Sequence, residues 1–256
     1  MIDGGYHVTL LFHDVFAKDP RESGFRSPAA DRYKLSLAQF EQHLAALQRL
    51  PDTARPFSLT FDDGGESYYT RIADRLERLG WRARCFVATN FIDRPGFLTR
   101  RQLRELDARG HQIGAHSASH PTRMSACSPD VLRAEWRLSV AVLQDILGRP
   151  VQCASVPGGY YSTAVAEAAT SAGIRTLFTS EPVTRPRLDG GCAIHGRFAI
   201  RSHDTPSLSA RLAGREPWAR WRAWTDWNAK AFCKLMLGSS YMRVADWFMA
   251  GRPAHS

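Results

Sequence analysis

Leu59-Thr60-Phe61-Asp62-Asp63-Gly64-Gly65 is an apolar run that stops at two adjacent carboxylates followed by two glycines. A strand that ends this way ends in chemistry. Two neighbouring carboxylates in a desolvated place repel unless a cation, a shared proton or strong donors intervene. The glycines let the chain turn sharply and let a ligand approach the backbone. Taken alone, the stretch reads equally well as an exposed Asp-Asp-Gly turn. Two stretches further along favour the first reading: His116-Ser117-Ala118-Ser119-His120-Pro121 and Val156-Pro157-Gly158-Gly159-Tyr160.

Working outward, Val8 to Phe12 reads as a short buried strand delivering His13-Asp14 to its C-terminal end, followed by a long loop from Val15 to Tyr33 that could form part of a substrate cleft. Ser36 and Gln39 have capping-box spacing, and Leu37, Phe40, Leu44 and Leu47 keep a helical period up to Pro51. Strands are expected at Phe57 to Phe61, Arg84 to Ala88, His111 to Ala115, Val151 to Ser155 and Arg175 to Thr179. Helices are expected over Tyr68 to Leu79 with a stop at Gly80, from Thr99 to Gly110, from Ser128-Pro129-Asp130 to Leu147-Gly148, and after Ser162. Strands alternating with helices of this length imply an α/β fold with a parallel sheet. If that sheet curls into a β/α barrel, the loops after its strands share one mouth, and Asp62, Asp63, His116, His120 and the Pro157 turn all fall there.

One carboxylate and two imidazoles hold a divalent metal while leaving a position open for water, and Asp63, His116 and His120 are of those types. Spacing of four residues brings two imidazoles to one side of a turn, so both can reach one ion. Asp62 would then be the general base beside the metal-activated water. Zinc is the first expectation, and cobalt, nickel or iron also accept such ligands.

Taken together, Thr60-Phe61-Asp62-Asp63-Gly64, the His-x-x-x-His at 116 and 120 and the Pro-Gly-Gly at 157 to 159 resemble the polysaccharide deacetylase family, also called NodB-homology or carbohydrate esterase 4. The resemblance runs from about Thr9 to Ser202 and implies an irregular β/α barrel, usually of seven strands. It also implies that the first Asp of the pair is the base and the second a metal ligand. In most members the general acid is a His after the third motif, but here that region offers only His195 and His203, neither after a convincing apolar strand. Leu11-Phe12-His13-Asp14 has the expected pattern instead, and resembles members in which circular permutation has moved the last motif to the front, so His13 is the expected acid. The family usually carries Arg two residues before the Pro of the third motif, where Ser155 stands here; Arg197, in Gly196-Arg197-Phe198-Ala199-Ile200, is the candidate substitute. Pro157, Gly158 and Tyr160, with Arg197, are assigned to the substrate side. Tyr160 and Tyr161 could pack on pyranose rings or simply pack in the fold.

The implied activity is metal-dependent removal of N-acetyl groups from an amino sugar, in a polysaccharide or a lipid-linked precursor in exopolysaccharide or cell-envelope synthesis. Two alternatives remain open at this stage: hydrolysis of another C–N bond, such as a cyclic amide, and an inert glycan-binding module suggested by Ser155.

The 256 residues suffice for one large domain, expected over 1–214, with a helical extension over 215–256. In that extension Trp218, Trp221, Trp224 and Trp227 recur among Arg220, Arg222, Lys230 and Lys234, with Phe232, Leu235, Trp247 and Phe248 beyond. Such a segment either lies on an anionic membrane surface or packs on the barrel. A formal charge of +9 invites a polyanionic partner, yet the excess is mostly Arg scattered along helices, and there is no nucleic-acid-binding motif. Five cysteines without a C-x-x-C pair argue against a disulfide framework or a thiolate zinc site, and read as small buried hydrophobes. Met1 to Tyr6 lacks the marks of a secretory signal and no stretch is long enough to span a membrane, so a cytoplasmic place is the default expectation, with peripheral contact at the inner membrane face as the variant.

Overall fold

The computed structural model describes residues 7–51, 57–214 and 216–237, with side chains up to 228. The expectations for Met1 to Tyr6, for Cys233, for the side chains of Lys230, Phe232, Lys234 and Leu235, and for Trp247 and Phe248 lie outside what is described. Strands are β1 (Val8–Phe12), β2 (Val15–Phe16), β3 (Leu35–Ser36), β4 (Phe57–Phe61), β5 (Arg84–Val87), β6 (Gln112–Ala115), β7 (Cys153–Ser155), β8 (Thr176–Phe178), β9 (Arg187–Asp189), β10 (Cys192–His195) and β11 (Phe198–Ala199). Helices are α1 (Pro28–Asp31), α2 (Leu37–Gln48), α3 (Ala73–Arg78, entered through a π-helical turn at Tyr68–Ile72), α4 (Arg100–Ala108), α5 (Pro129–Leu147), α6 (Thr163–Ser171), α7 (Pro206–Ala213) and α8 (Pro217–Leu237).

Local chemistry explains the helix ends. Ser36 with Gln39, and Thr99 with Gln102, form reciprocal capping boxes that satisfy amides left free at the starts of α2 and α4. Pro129 opens α5, and Gly148 at φ 66° closes it in the left-handed region. The expected loop from Val15 to Tyr33 contains more structure than its composition suggests, because β2 and β3 pair at its two ends. Just after it the buried Lys34 reaches back and donates to the loop carbonyls of Pro20 (2.6 Å), Ser23 (2.9 Å) and Phe25 (2.6 Å). The buried Asp14 accepts from Ser23 Oγ and Ser67 Oγ, both at 2.6 Å, which ties the loop to the turn after β4.

The main sheet runs β11-β1-β4-β5-β6-β7-β8-β10-β9, parallel except for β9. Among the described residues nine strands share its hydrogen bonds, against the usual seven that the resemblance implies. The difference has a simple origin. Cys192 to Ala199 pairs with β8 through its first half and with β1 through its second, so β10 and β11 are one kinked passage that joins the two flanks through the chain. Counted as one strand, it completes a parallel set of seven, and β9 is an added antiparallel edge. The kink falls at Gly196, where a Cβ would lie 2.3 Å from the carbonyl oxygen of Glu181.

Alternation along the strands divides the core in two. Leu10, Phe12, Leu59, Phe61, Cys85, Val87, Ile113 and Ile194 face the helices and join one large cluster. A smaller cluster of Phe86, Cys153 and Phe178 fills the sheet's concave side. Among the cysteines, Cys85, Cys153 and Cys192 are buried free thiols, while Cys127 is only half-buried. The tryptophans of α8 do not all pack: Trp218, Trp221 and Trp224 are 67%, 53% and 46% exposed, so packing on the barrel accounts at most for part of the stripe. Among the described residues no helix is long and apolar enough to cross a membrane.

At the opposite end of the sheet from the carboxylate pair, Tyr68 Oη meets His111 Nδ1 at 2.7 Å and His111 Nε2 meets Glu77 Oε1 at 3.0 Å. Burial lowers the His111 pKa, against a smaller opposing pull from Glu77. The unfolded chain therefore binds this proton more readily than the folded one, and stability falls as pH drops below the ordinary value of 6.5. His111→Phe strands the buried Tyr68 hydroxyl, and should lower unfolding free energy by about 1–3 kcal/mol. Urea titrations between pH 8 and 5 should also find the variant less acid-sensitive than wild type, and equal slopes would refute the assignment.

Candidate active site

The same alternation that fills the concave side aims the candidate residues. Two positions beyond the inward residues Leu11, Thr60, Gly114, Cys153 and His195 come His13, Asp62, His116, Ser155 and Arg197. Five side chains from five parts of the chain thus converge on one mouth. β1 and β4 pair with Phe12 opposite Phe61, and the Asp62 amide donates to the Phe12 carbonyl at 3.1 Å, so His13 and Asp62 leave adjacent strands side by side.

Asp63, His116 and His120 come together, with their ligand atoms all within 4.8 Å of one another. Asp63 Oδ1 lies 3.5 Å from His116 Nε2 and 3.4 Å from His120 Nε2. A tetrahedral ion with bonds of about 2.0–2.2 Å separates its ligands by about 3.3–3.6 Å, so the donors fit one cation. His116 Nδ1 donates to the Ser155 carbonyl at 2.8 Å, which leaves the Nε2 lone pair facing Asp63. The backbone is bent to achieve this: Asp63, Ser117 and His120 have φ of 77°, 60° and 58°, a region that non-glycine residues rarely occupy. The donor set therefore suits zinc or a similar divalent ion on distance, tautomer and chemistry.

Asp62 is held from behind. Arg197 Nη1 and Nη2 donate to its two carboxylate oxygens at 2.7 and 2.8 Å, and Ser155 Oγ donates to Oδ2 at 2.9 Å. The guanidinium also donates to Ser155 Oγ (2.6 Å), the Thr179 carbonyl (3.0 Å) and Thr60 Oγ1 (3.3 Å). It lies over the rings of Phe86 and Phe178, 5.6 and 5.9 Å from their centroids. Burial pushes the Asp62 carboxyl up, but Arg197 and His116 together outweigh it and hold the group below the usual carboxylate range. Burial likewise raises Asp63, and its contacts with His116 and His120 carry it well below that range. Two ionised, buried carboxylates with one guanidinium behind them leave room for positive charge in front.

His13 is half-buried, with its ring 4.9 Å from that of Tyr33. Its Nδ1 has no hydrogen-bond partner among the described residues. Burial lowers its pKa, more than Asp63 and Asp62 raise it. His195 ends β10, a strand that the sequence does not make convincing because three buried residues are too short a run to recognise. Its ring packs on Phe178 at 5.2 Å, below the carboxylates, and His203 is exposed beside Asp204.

The residues assigned to the substrate side separate. Pro157 is buried and Arg197 is fully so; Arg197 presents no surface to a ligand and belongs behind Asp62. Gly158 is exposed at φ 61°, with Tyr160 half-buried beside it under the Arg123 guanidinium, 5.5 Å from the ring centroid. Tyr161 is drawn away, donating to Asp189 on β9 at 2.5 Å. Phe25, unremarked in the sequence, packs on His120 with ring centroids 4.7 Å apart. It lies on the Lys34-held loop, which makes that loop one wall of the site.

Comparison with known proteins finds relatives both in sequence and in fold. The sequence profile described as polysaccharide deacetylase matches residues 49–177. A peptidoglycan-N-acetylglucosamine deacetylase of Bacillus cereus is 29% identical over 136 residues, covering 51% of this chain and 59% of that protein. A chitin deacetylase of Pestalotiopsis is 31% identical over 122 residues, 46% and 38% of the respective lengths. The chain thus spans little more than half of the first relative and well under half of the second. The solved structure of IcaB from Ammonifex degensii superposes with a TM-score of 0.64 at 22% identity, covering 85% of this chain and 98% of that one. A de-N-acetylase from Aggregatibacter actinomycetemcomitans superposes at 0.66 and 17% identity, covering 81% and 100%. At these identities the likeness establishes the barrel fold.

Arg197→Met leaves Asp62 buried without its counter-charge and should destabilise the metal-free chain by about 3–5 kcal/mol. Arg197→Met with Asp62→Asn should recover much of that loss in urea unfolding, and strictly additive effects would show that the pair is not coupled.

Proposed function

Because the chain belongs to the polysaccharide deacetylase family, we propose that it is a metal-dependent hydrolase that removes N-acetyl groups from an amino sugar of a polysaccharide or a lipid-linked glycan precursor. The observation that carries this reading is the placement of Asp62 beside the Asp63, His116 and His120 cluster with Arg197 paired behind it. When bound, the divalent cation, zinc in the first instance, polarises a water and the acetamide carbonyl.

The chain's own groups supply the rest. Asp62 takes the proton of the attacking water, its two oxygens fixed by the Arg197 fork and by Ser155 so that no reorganisation is needed. The depressed pKa keeps it ionised and ready to accept that proton. His13, on the neighbouring strand, delivers a proton to the departing amine. Its strand lies between β4 and β11, the last strand, which supports the reading that a motif commonly found last stands first here. The Phe25 loop on one side and Gly158 with Tyr160 on the other suit the walls of a sugar cleft. Ser155 motivated the idea of an inert glycan-binding module; with a guanidinium supplied from Arg197, that motive weakens. The relatives named for peptidoglycan and chitin favour an acetylated amino sugar over a cyclic amide.

The test combines metal analysis with acetate release from N-acetylated glucosamine oligosaccharides. Wild type should hold about one zinc per chain and release acetate, and chelation should abolish release. Asp62→Asn should lower kcat by at least about 100-fold, as should His13→Asn, with metal content retained in both. Release that survives chelation, or Asp62→Asn with wild-type kcat, would refute the proposal.

A further inference from the structure

The turn that carries His120 is held by a group outside the cluster itself. Residues 116–120 leave β6 and double back, with Ser117 and His120 both in the left-handed region. Such a bend turns successive amides toward one point and forms a small anion-binding concavity. Glu135 occupies it. Its Oε2 accepts from the Ala118 amide (2.9 Å) and the Ser119 amide (2.8 Å), and its Oε1 accepts from Ser119 Oγ (2.6 Å). Inside the turn, the His120 amide donates to Ser117 Oγ at 3.1 Å.

Glu135 is anchored in its own right. It lies on α5 between Leu132 and Trp136, both buried, and the Trp136 indole N–H donates to the Val165 carbonyl at 3.2 Å. The helix is thus locked to α6 by side chains that take no part in the site. Glu135 touches none of the three ligand side chains in the hydrogen-bond pattern. Among the described residues its hydrogen bonds go only to the backbone and Ser119, so its effect on His120 passes through the strained main chain.

We propose that Glu135 is the positioning residue of the cation site: by gripping the amides of Ala118 and Ser119 it holds His120 in its left-handed conformation, so that Nε2 stands beside Asp63 before an ion arrives. Without that grip the turn relaxes to ordinary φ values and one of the three ligands is lost from the preformed set. The inference rests on Asp63, His116 and His120 being a cation site.

The test is zinc affinity of the metal-free chain, measured by competition with a chromophoric chelator, together with hydrogen exchange at the Ala118 and Ser119 amides. Glu135→Ala should weaken zinc binding by about 10–100-fold, in the range found when groups supporting metal ligands are removed. The two amides should exchange faster while melting of the metal-free chain stays close to wild type. Glu135→Gln keeps an acceptor oxygen but no charge, and should stay near wild type in both readouts. Wild-type affinity in Glu135→Ala would overturn the proposal. So would a loss in Glu135→Gln as large as in Glu135→Ala, since long-range attraction by the carboxylate would then be the whole effect. Should Glu135→Ala fail to fold, Ser119→Ala removes one of the three bonds; a smaller loss of affinity supports the proposal and no loss refutes it. A wild-type chain that takes up no divalent ion would end the cation reading itself, an outcome distinct from any of these.

Discussion

The pairing of Arg197 with Asp62 is the constraint on which the rest of the site depends. A carboxylate at the inner end of a barrel strand is expensive to ionise unless a cation lies within hydrogen-bonding distance. A guanidinium in the same interior is equally costly on its own. Together they form a two-point contact whose remaining donors go to Thr179, Thr60 and Ser155. The pair also joins β4 to the passage between β10 and β11, across the part of the sheet where the flanks meet only through the chain. It therefore serves shape as well as charge: it fixes where the last strand enters and which way the first carboxylate points.

That entry depends on the kink at Gly196. The Arg197 amide donates to the Glu181 carbonyl at 2.9 Å while the neighbouring residue passes too close to that carbonyl for any side chain. A straight strand would continue along β8. The bent one carries Arg197 inward over Phe86 and Phe178, and then sets Phe198 opposite Leu10 on β1. Ser155 completes the arrangement from the other side, since its small side chain leaves the space that the guanidinium fills, while its carbonyl orients His116. One residue thus holds Asp62 through its hydroxyl and His116 through its backbone.

Much of this was readable in the chain because strong local signals coincide with the elements. The capping boxes at Ser36 and Thr99, the Pro129 start and the Gly148 stop mark helices by their own hydrogen bonds, without help from tertiary contacts. The carboxylate pair and the two imidazoles stood out because such residues at strand ends have few structural uses. The late strands were hidden for the opposite reason: β9, β10 and β11 span three, four and two residues, too few for a period of two to emerge. Arg197 was suggested only by the Ser at 155, and its contact with Asp62, 135 residues away in sequence, is a product of barrel closure. Glu135 carried no signal at all, being one more acidic residue on a charged helix face. Nor could the sequence divide Tyr160 from Tyr161, because the partner that claims Tyr161 lies on the unrecognised β9.

The unusual backbone angles follow from the same geometry. Strand ends on one rim point their side chains along nearly parallel directions, so residues on ordinary extended backbone cannot all meet at one point. Asp62 and His116 reach inward by alternation alone, but Asp63 and His120 do not fall on that alternation, and the chain must reverse locally to bring them in. Left-handed backbone at Asp63 and His120 provides that reversal, at a cost of order 1–3 kcal/mol for each residue. Strain of that size persists only where neighbours oppose its release. Around Asp63 the turn is braced by the Gly64 carbonyl, which accepts from the Leu98 amide at 3.0 Å, and by the Ala88 amide donating to the Asp63 carbonyl at 3.4 Å. Around His120 the bracing comes from α5. The folded chain thus brings Asp63, His116 and His120 together in advance, and on the proposed reading a cation would only neutralise the charge assembled there.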